Sequence, residues 1–188
     1  MRTSHALASF ILTGLLGGCT LSISAVRPDP TVDLPASRTS LALAFGPRVR
    51  DRFAISIQRG VFTIEVDSFH QTLASGFQAM VRASFAPATP DGADATLLLD
   101  DASVEEVPGY RTVSFVVRYR ARVVDRAGRV LRRSFGSVES RGGLTWTNEG
   151  PGSPSSLLGS TIAAMFEKIA ADCFVNPLLR LDAPEDGS

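Results

Sequence analysis

The chain has 188 residues, with 19 basic and 19 acidic side chains, so its formal charge at neutral pH is zero. A nucleic-acid-binding protein carries a basic excess, and this balance argues against that class. The chain has two cysteines, and the first lies in the N-terminal motif described next. The second is therefore left without an intramolecular disulfide partner.

The N-terminal 18 residues have the features of a secretory signal segment. Arg2 gives a basic start, and the apolar run over residues 6–16 is shorter than the roughly 20 residues that a helix needs to cross a bilayer. The run ends in Leu16-Gly17-Gly18-Cys19, which resembles a bacterial lipobox: an aliphatic residue, two small residues and the cysteine that receives lipid. We therefore predict cleavage between Gly18 and Cys19 and acylation of Cys19. The alternative is an ordinary signal peptide that contains a cysteine.

Acylation would decide where the protein resides. Each buried CH₂ contributes about 0.8 kcal/mol, so one chain binds a membrane reversibly, whereas two or more anchor it stably. Thr20, rather than Asp, follows the cysteine, which by resemblance to enterobacterial sorting rules favours the outer membrane over the inner. We expect a protein on the periplasmic face of the outer membrane, with no cofactor besides the covalent lipid on Cys19.

Three prolines and the lack of a periodic pattern predict a tether over residues 19–38, extended and partly disordered. The sequence then predicts one folded domain over residues 39–180 and a disordered tail over 181–188. The 170 residues that remain after cleavage are enough for one domain with its own core.

The first part of the domain combines strands with one helix. Apolar and polar residues alternate over residues 40–45, 53–57 and 61–66, which predicts strands, the last two forming a hairpin or one bent strand. Ser68-Phe69-His70-Gln71 then fits a capping box with Ser68 as N-cap and Gln71 at the third helical position. The predicted helix runs to about residue 85 on the apolar face formed by Phe69, Leu73, Phe77, Met80 and Val81.

The second part of the domain has three strands and a last helix. Strands are predicted over residues 95–106, 112–125 and 130–140, with a turn at residues 125–128 whose Gly128 suits a positive φ. A helix that starts at Ser155 or Ser156 and ends at Asn176-Pro177 has one apolar stripe, formed by Leu158, Ile162, Phe166, Ile169 and Cys173. We predict an α+β fold in which two amphipathic helices pack on one face of an antiparallel or mixed sheet of about four to five strands.

The order of these elements resembles that of small outer-membrane envelope-assembly lipoproteins. The two families most alike in layout are the lipopolysaccharide-assembly lipoproteins, which plug an outer-membrane translocon, and the auxiliary lipoproteins of ABC-type lipid transporters. The similar stretch covers residues 40–174, with the segment RYRARVVDRAGRVLRRSF and the terminal helix most alike. The resemblance implies a non-enzymatic accessory subunit of an envelope transport or assembly machine, with an envelope protein as partner.

Residues suited to catalysis or metal binding are few. His70 is the single histidine outside the signal segment, and it is expected to be solvated on the polar side of its helix. Cys173 lies on an apolar stripe, where a free cysteine behaves as a small hydrophobic residue. The pairs Asp100-Asp101 and Glu105-Glu106 cannot each converge on one atom without a bulge, because neighbours in a strand point to opposite faces. We predict no catalytic residue and no metal site, and therefore not an enzyme.

Arg118, Arg120 and Arg122 stand out because they share one face of one predicted strand. The strand rise places them about 6.6–7 Å apart, and guanidinium groups bind phosphates and carboxylates in a bidentate manner. One interpretation is pairing with nearby acids on an exposed face. The other is contact with an anionic lipid, a glycan or an acidic partner surface, which Arg132 and Arg133 in the next strand would support. The alternative function is accordingly a lipid- or glycan-binding lipoprotein module.

Overall fold

The computed structural model describes residues 19–57, 62–82, 84–88, 92–108, 113–142 and 152–175. The signal segment, most of the predicted loop over residues 142–154, the end of the last helix and the tail lie outside these ranges. The strands in the described residues are β1 (Cys19–Ile23), β2 (Leu41–Phe45), β3 (Phe53–Ile57), β4 (Phe62–Val66), β5 (Ala95–Pro108), β6 (Val113–Asp125) and β7 (Val130–Gly142). The helices are α1 (Phe69–Val81) and α2 (Pro154–Ala170), and a π-helical turn over Ala171–Val175 follows α2.

The strands form two sheets rather than the single sheet that the sequence suggests. One sheet has the order β2-β5-β6-β7, in which β2 is parallel to β5 and the long strands are antiparallel. The other has the order β1-β4-β3, in which β3 and β4 form the predicted antiparallel hairpin. The α+β class with mixed pairing and two helices is confirmed. The alternating pattern marks each strand but does not show which strand it pairs with.

The core lies between the four-stranded sheet and the helices. Helix α2 crosses β6 and β7, and α1 packs against α2 and β2. The predicted inward face of β6 is buried along Phe115, Val117, Tyr119, Ala121 and Val123. The predicted α2 stripe is also buried, and Ile162, Phe166 and Ile169 belong to the same hydrophobic cluster as that face of β6. Both amphipathic patterns therefore identified the correct faces.

The first turn of α1 is capped differently from the predicted capping box. Ser68 occupies the N-cap position, but its side chain makes no capping hydrogen bond. Instead, the backbone carbonyl of Asp51 accepts from the Phe69 N–H at 3.0 Å, and the Asp51 carboxylate accepts from the His70 N–H at 2.8 Å. The capping-box prediction is wrong because a loop distant in sequence supplies the acceptors. The helix also ends at Val81 rather than near residue 85.

Helix α2 begins one or two residues before the predicted start. Ser153 is its N-cap, and the Ser153 Oγ accepts from the Ser156 N–H at 3.1 Å. Pro154 follows in the first helical turn, where the missing N–H of proline costs no intrahelical hydrogen bond.

The predicted tether is instead part of the folded domain. Its first five residues form β1, which pairs in parallel with β4. The remainder, residues 24–38, which we call the N-terminal strap, contacts both helices. The Val26 N–H donates to Thr72 Oγ1 at 3.0 Å, the Thr31 N–H donates to Glu167 Oε1 at 2.8 Å, and Ser84 Oγ donates to the Leu34 carbonyl at 3.1 Å.

The strap packs closely because α1 and α2 carry small residues beneath it. A Cβ added to Gly159 would lie 3.0 Å from the Val26 side chain, and one added to Gly76 would lie 3.2 Å from Pro28. Leu34 is buried with only 7% of its surface exposed. The prediction of a disordered tether is wrong. The prolines do favour an extended chain, but this extended chain packs against the surface of the helices.

Candidate functional site

The three arginines of β6 lie on the face of the four-stranded sheet that points away from the helices. They alternate with the buried residues of the strand, as the sequence pattern predicts, so the structure places them in one row. The side chains of Arg118 and Arg122 are 64% and 39% exposed, and Arg120 is also exposed. We call this surface the arginine face and include in it the outward side chains of β7 described below.

Two of the three arginines pair with acids on β5. Arg118 lies 3.1 Å from Glu105, and Arg122 Nε lies 3.0 Å from Asp100. Asp100 sits at a β-bulge between Leu99 and Asp101, where the register with β6 shifts. A bulge re-aims side chains, and here it lets Asp100 contact Arg122. The cross-strand acid partners considered from the sequence therefore exist for the outer two arginines.

Arg120, the middle arginine, is less well compensated. Its register partners are Asp101 on β5 and Phe135 on β7, and it forms no ion pair with the residues that the structure describes. The ion pairs of its neighbours are solvent-exposed, and such pairs contribute only about 0–1 kcal/mol each. The row can therefore accept an external anion at little energetic cost.

Strand β7 places Arg133 and an aromatic ring beside the row. Arg133 lies directly opposite Arg122, and like charges directly opposite each other destabilise a sheet. Phe135 is 74% exposed beside Arg120. Arg132, which the sequence grouped with Arg133, lies on the opposite face, because it pairs with the buried Val123.

These residues surround a shallow concavity of about 460 Å³ on the outer surface, lined by Asp100, Arg120, Ala121, Arg122, Arg133, Ser134 and Phe135. Guanidinium groups bind phosphate or carboxylate oxygens through paired hydrogen bonds, and an anion between Arg122 and Arg133 would relieve their mutual repulsion. Phe135 offers an apolar contact next to that charge. The concavity thus suits a group that is both anionic and apolar, from a protein or from an amphiphile.

Sequence reasoning missed Phe135 and the bulge at Asp100. Phe135 is two residues after Arg133 and therefore points to the same side of β7. The sequence could have revealed it as an aromatic residue at a position where this strand otherwise carries polar, outward-facing side chains. The bulge could not be recognised from the sequence, because the acidic residues around it have the pattern of ordinary solvated side chains.

His70 is partly exposed, with 37% of its side chain accessible, and it also makes hydrogen-bond and stacking contacts. Its Nε2 lies 2.9 Å from the Val49 carbonyl, which can only accept, so this nitrogen donates. The ring stacks on Phe45 with centroids 4.4 Å apart, and Nδ1 lies 3.7 Å from Asp51. These contacts hold the loop between β2 and β3 against the start of α1.

Cys173 lies in the core, with 1% of its surface exposed. Burial, together with the nearby Asp172 carboxylate, raises the pKa of its thiol to about 12, so the thiol is protonated at neutral pH.

Near Cys173, Ser134 Oγ donates to Asp172 Oδ2 at 2.7 Å and lies 3.3 Å from the Tyr119 hydroxyl. Burial also raises the pKa of Tyr119. These hydroxyls fasten the π-helical turn to β6 and β7.

The acidic residues of β5 lie along one strand, paired in register with β6. Among the described residues, no group of three histidine, cysteine, aspartate or glutamate side chains is arranged to hold a metal ion. Within the same residues, no helix is both long enough and apolar enough to span a bilayer.

No protein-family model and no curated protein sequence matches the chain. Among solved structures, it is similar to a Xanthomonas campestris protein described under the family model DUF330, with a TM-score of 0.53, 12% sequence identity and coverage of 79% of this chain and 91% of that one. A minor lipoprotein from Acinetobacter baumannii has a TM-score of 0.43 and 12% identity, over 73% of this chain and 91% of that one. The likeness to the Xanthomonas protein shows a shared fold.

Proposed function

We propose that the protein is a lipid-anchored envelope lipoprotein that acts as a non-enzymatic accessory subunit of a transport or assembly machine. The observation that carries the proposal is Leu16-Gly17-Gly18-Cys19, a lipobox placed directly before a small α+β domain. Acyl chains on Cys19 would hold the domain at a membrane. Thr20 after the cysteine favours the outer membrane, with the domain on the periplasmic face.

The arginine face is the contact surface in this proposal. Arg120, Arg133 and Phe135 combine positive charge with an exposed ring, the residue types that are enriched at protein interfaces. Their partner is an acidic surface of an envelope protein. Charge complementarity of this kind increases the association rate and sets the docking orientation.

A non-enzymatic role is supported by the positions of the reactive side chains. His70 is held by a backbone carbonyl and a stacked ring, and Cys173 is buried and protonated at neutral pH. In the described residues, neither contacts a second group in the manner of a nucleophile and its base. We accordingly assign the protein no catalytic residue, and no cofactor besides its covalent lipid.

The second candidate is a module that binds an anionic lipid or glycan, and the concavity on the arginine face favours it. Binding between the sheet and the helices is less favoured, because Phe69, Leu158 and Phe166 are completely buried there. A ligand would instead occupy the outer surface, with its phosphate or carboxylate at the arginines and its apolar part against Phe135.

Photocrosslinking in native membranes separates the two candidates. The full-length protein would carry a benzophenone amino acid in place of Phe135, with a matched probe at the exposed Gln78 of α1 as control. We expect a defined envelope-protein adduct from position 135 and none from position 78. Adducts with lipid or glycan alone from position 135 would support the second candidate instead. Equal adducts from both positions, or none from position 135, would refute the arginine face as the contact surface.

A further inference from the structure

We propose that the lipid on Cys19 holds the domain directly against the membrane, with the Cys19 end of the three-stranded sheet facing the lipid headgroups. This inference rests on the acylation of Cys19 proposed above. It concerns which surface of the domain meets the membrane, and it names the lipid surface itself as the partner of that end of the sheet.

In the described residues, no free chain separates Cys19 from the fold. Cys19 is the first residue of β1 and pairs with Phe62, and the pairing continues without interruption to Ile23 and Val66. A tether over residues 19–38 would reach roughly 60–70 Å when extended, at about 3.3–3.6 Å per residue. Here the lipid-bearing residue is itself a member of the sheet, so its reach is that of one side chain.

Strand β1 is held firmly in the sheet by pairing, burial and hydrogen bonds. Ile23 at the end of β1 is only 2% exposed, and its carbonyl accepts from the Asp67 N–H at 3.1 Å. The N-terminal strap continues across both helices with the hydrogen bonds of Val26 and Thr31 described above. Releasing β1 to create a tether would break the β1–β4 ladder and expose Ile23. Strand β1 is therefore more stable when it is paired with β4 than when it is released as a tether.

The described residues at the sheet end beside Cys19 are compatible with a lipid surface. In the described residues, the two rows of paired positions at this end carry no charge; they are Cys19, Phe62, Ile57, Thr20, Thr63 and Ser56. The charged side chains Glu65 and Asp67 lie toward the other end of β4, and Asp51 and Arg52 precede β3 at that same end. These described positions therefore bring no negative charge to an anionic headgroup layer and are not repelled by it.

The test measures the height of two positions above a bilayer. Single cysteines at Ser56 and Arg52, both exposed, would carry a donor dye in the acylated full-length protein, reconstituted into nanodiscs with an acceptor on the headgroups. The two positions are four residues apart, which corresponds to about 13 Å along the strand direction. We expect clearly higher energy transfer from position 56 than from position 52.

A matched variant supplies the control. Ten Gly/Ser residues inserted between Thr20 and Leu21 keep the lipobox and Thr20 but add a flexible segment with an end-to-end distance of about 16–19 Å. We expect the insertion to lower transfer from position 56 and to reduce its difference from position 52. The parent without an added cysteine reports labelling of Cys173, which is expected to be negligible because that thiol is buried.

The outcomes distinguish this inference from the function on which it rests. An intact mass without acyl chains would refute the anchoring itself. An acylated protein with equal transfer from both positions, with higher transfer from position 52, or with values unchanged by the insertion would refute the direct apposition of the domain to the membrane.

Discussion

Among the three arginines of β6, Arg120 is the one without an ion pair in the described residues. Arg118 and Arg122 each have a carboxylate within 3.1 Å, whereas Arg120 lies between Asp101 and Phe135 without an ion pair in the described structure. Arg133 adds a further positive charge opposite Arg122. A surface with this balance is suited to binding an anion from outside the chain.

If the arginine face binds an anionic lipid, as in the second candidate function, replacing Arg118, Arg120 and Arg122 together by Gln should strongly weaken binding of the lipid-free domain to vesicles containing anionic phospholipid or lipopolysaccharide. Binding of the wild type should also fall as salt rises, because exposed charges are screened within roughly 8–10 Å at physiological ionic strength. The change in unfolding free energy should stay small, since exposed pairs contribute about 0–1 kcal/mol each. Vesicle titration at low and high salt, with chemical unfolding alongside, measures both quantities.

The control for this variant changes the same charge elsewhere. Three exposed arginines lie in the loop after β2: Arg48, Arg50 and Arg52. Their triple replacement by Gln should leave vesicle binding nearly unchanged. If the two triple variants lose binding equally, net charge rather than the arginine face is responsible.

Substitution of two phenylalanines tests which side chains face the core and which face solvent. Phe166 is completely buried and Phe135 is 74% exposed. Phe166→Ala should cost about 3–5 kcal/mol of unfolding free energy, whereas Phe135→Ala should stay within about 0.5 kcal/mol, as is usual for surface changes. Denaturant unfolding measures both. A cost below about 1 kcal/mol for Phe166→Ala would contradict the assigned face of α2.

At the scale of elements, the start of α1 shows how a cap can come from outside the helix. The apolar spacing locates the helix, and Ser68 does occupy its N-cap. The hydrogen bonds to the first two helical N–H groups nevertheless come from Asp51, on the loop before β3. His70 reinforces this junction through Val49 and Phe45.

Asp51→Ala should therefore lower the unfolding free energy by about 1 kcal/mol, the usual cost of losing a capping side chain. Ser68→Ala is the matched change at the nominal N-cap, and it should cost much less, because that side chain makes no capping bond. Chemical unfolding of both variants measures the difference. The reverse order of costs would restore the capping box predicted from the sequence.

At the scale of the whole molecule, the N-terminus joins the two halves of the fold. Strand β1 completes the three-stranded sheet, and the strap runs over both helices that cover the four-stranded sheet. An anchor at Cys19 would thus act on the folded domain itself rather than on a loose segment.

Cys19→Ala should release the protein from the membrane fraction or leave it as an uncut precursor, because the acceptor of the lipid is lost. Membrane fractionation and intact-mass analysis check this result. A wild-type mass without acyl chains, or unchanged membrane association of the variant, would contradict lipid anchoring.

The sequence by itself determined the α+β class, most strand and helix positions and the inward faces of β6, α1 and α2, because side-chain periodicity follows directly from local geometry. It also placed Arg118, Arg120 and Arg122 in one row. Tertiary structure alone decided the split into two sheets, the Asp51 cap, the packed strap and the concavity beside Phe135. Each of these features depends on contacts between residues far apart in the chain. The periodicity of side chains along the sequence does not show which distant residues come into contact.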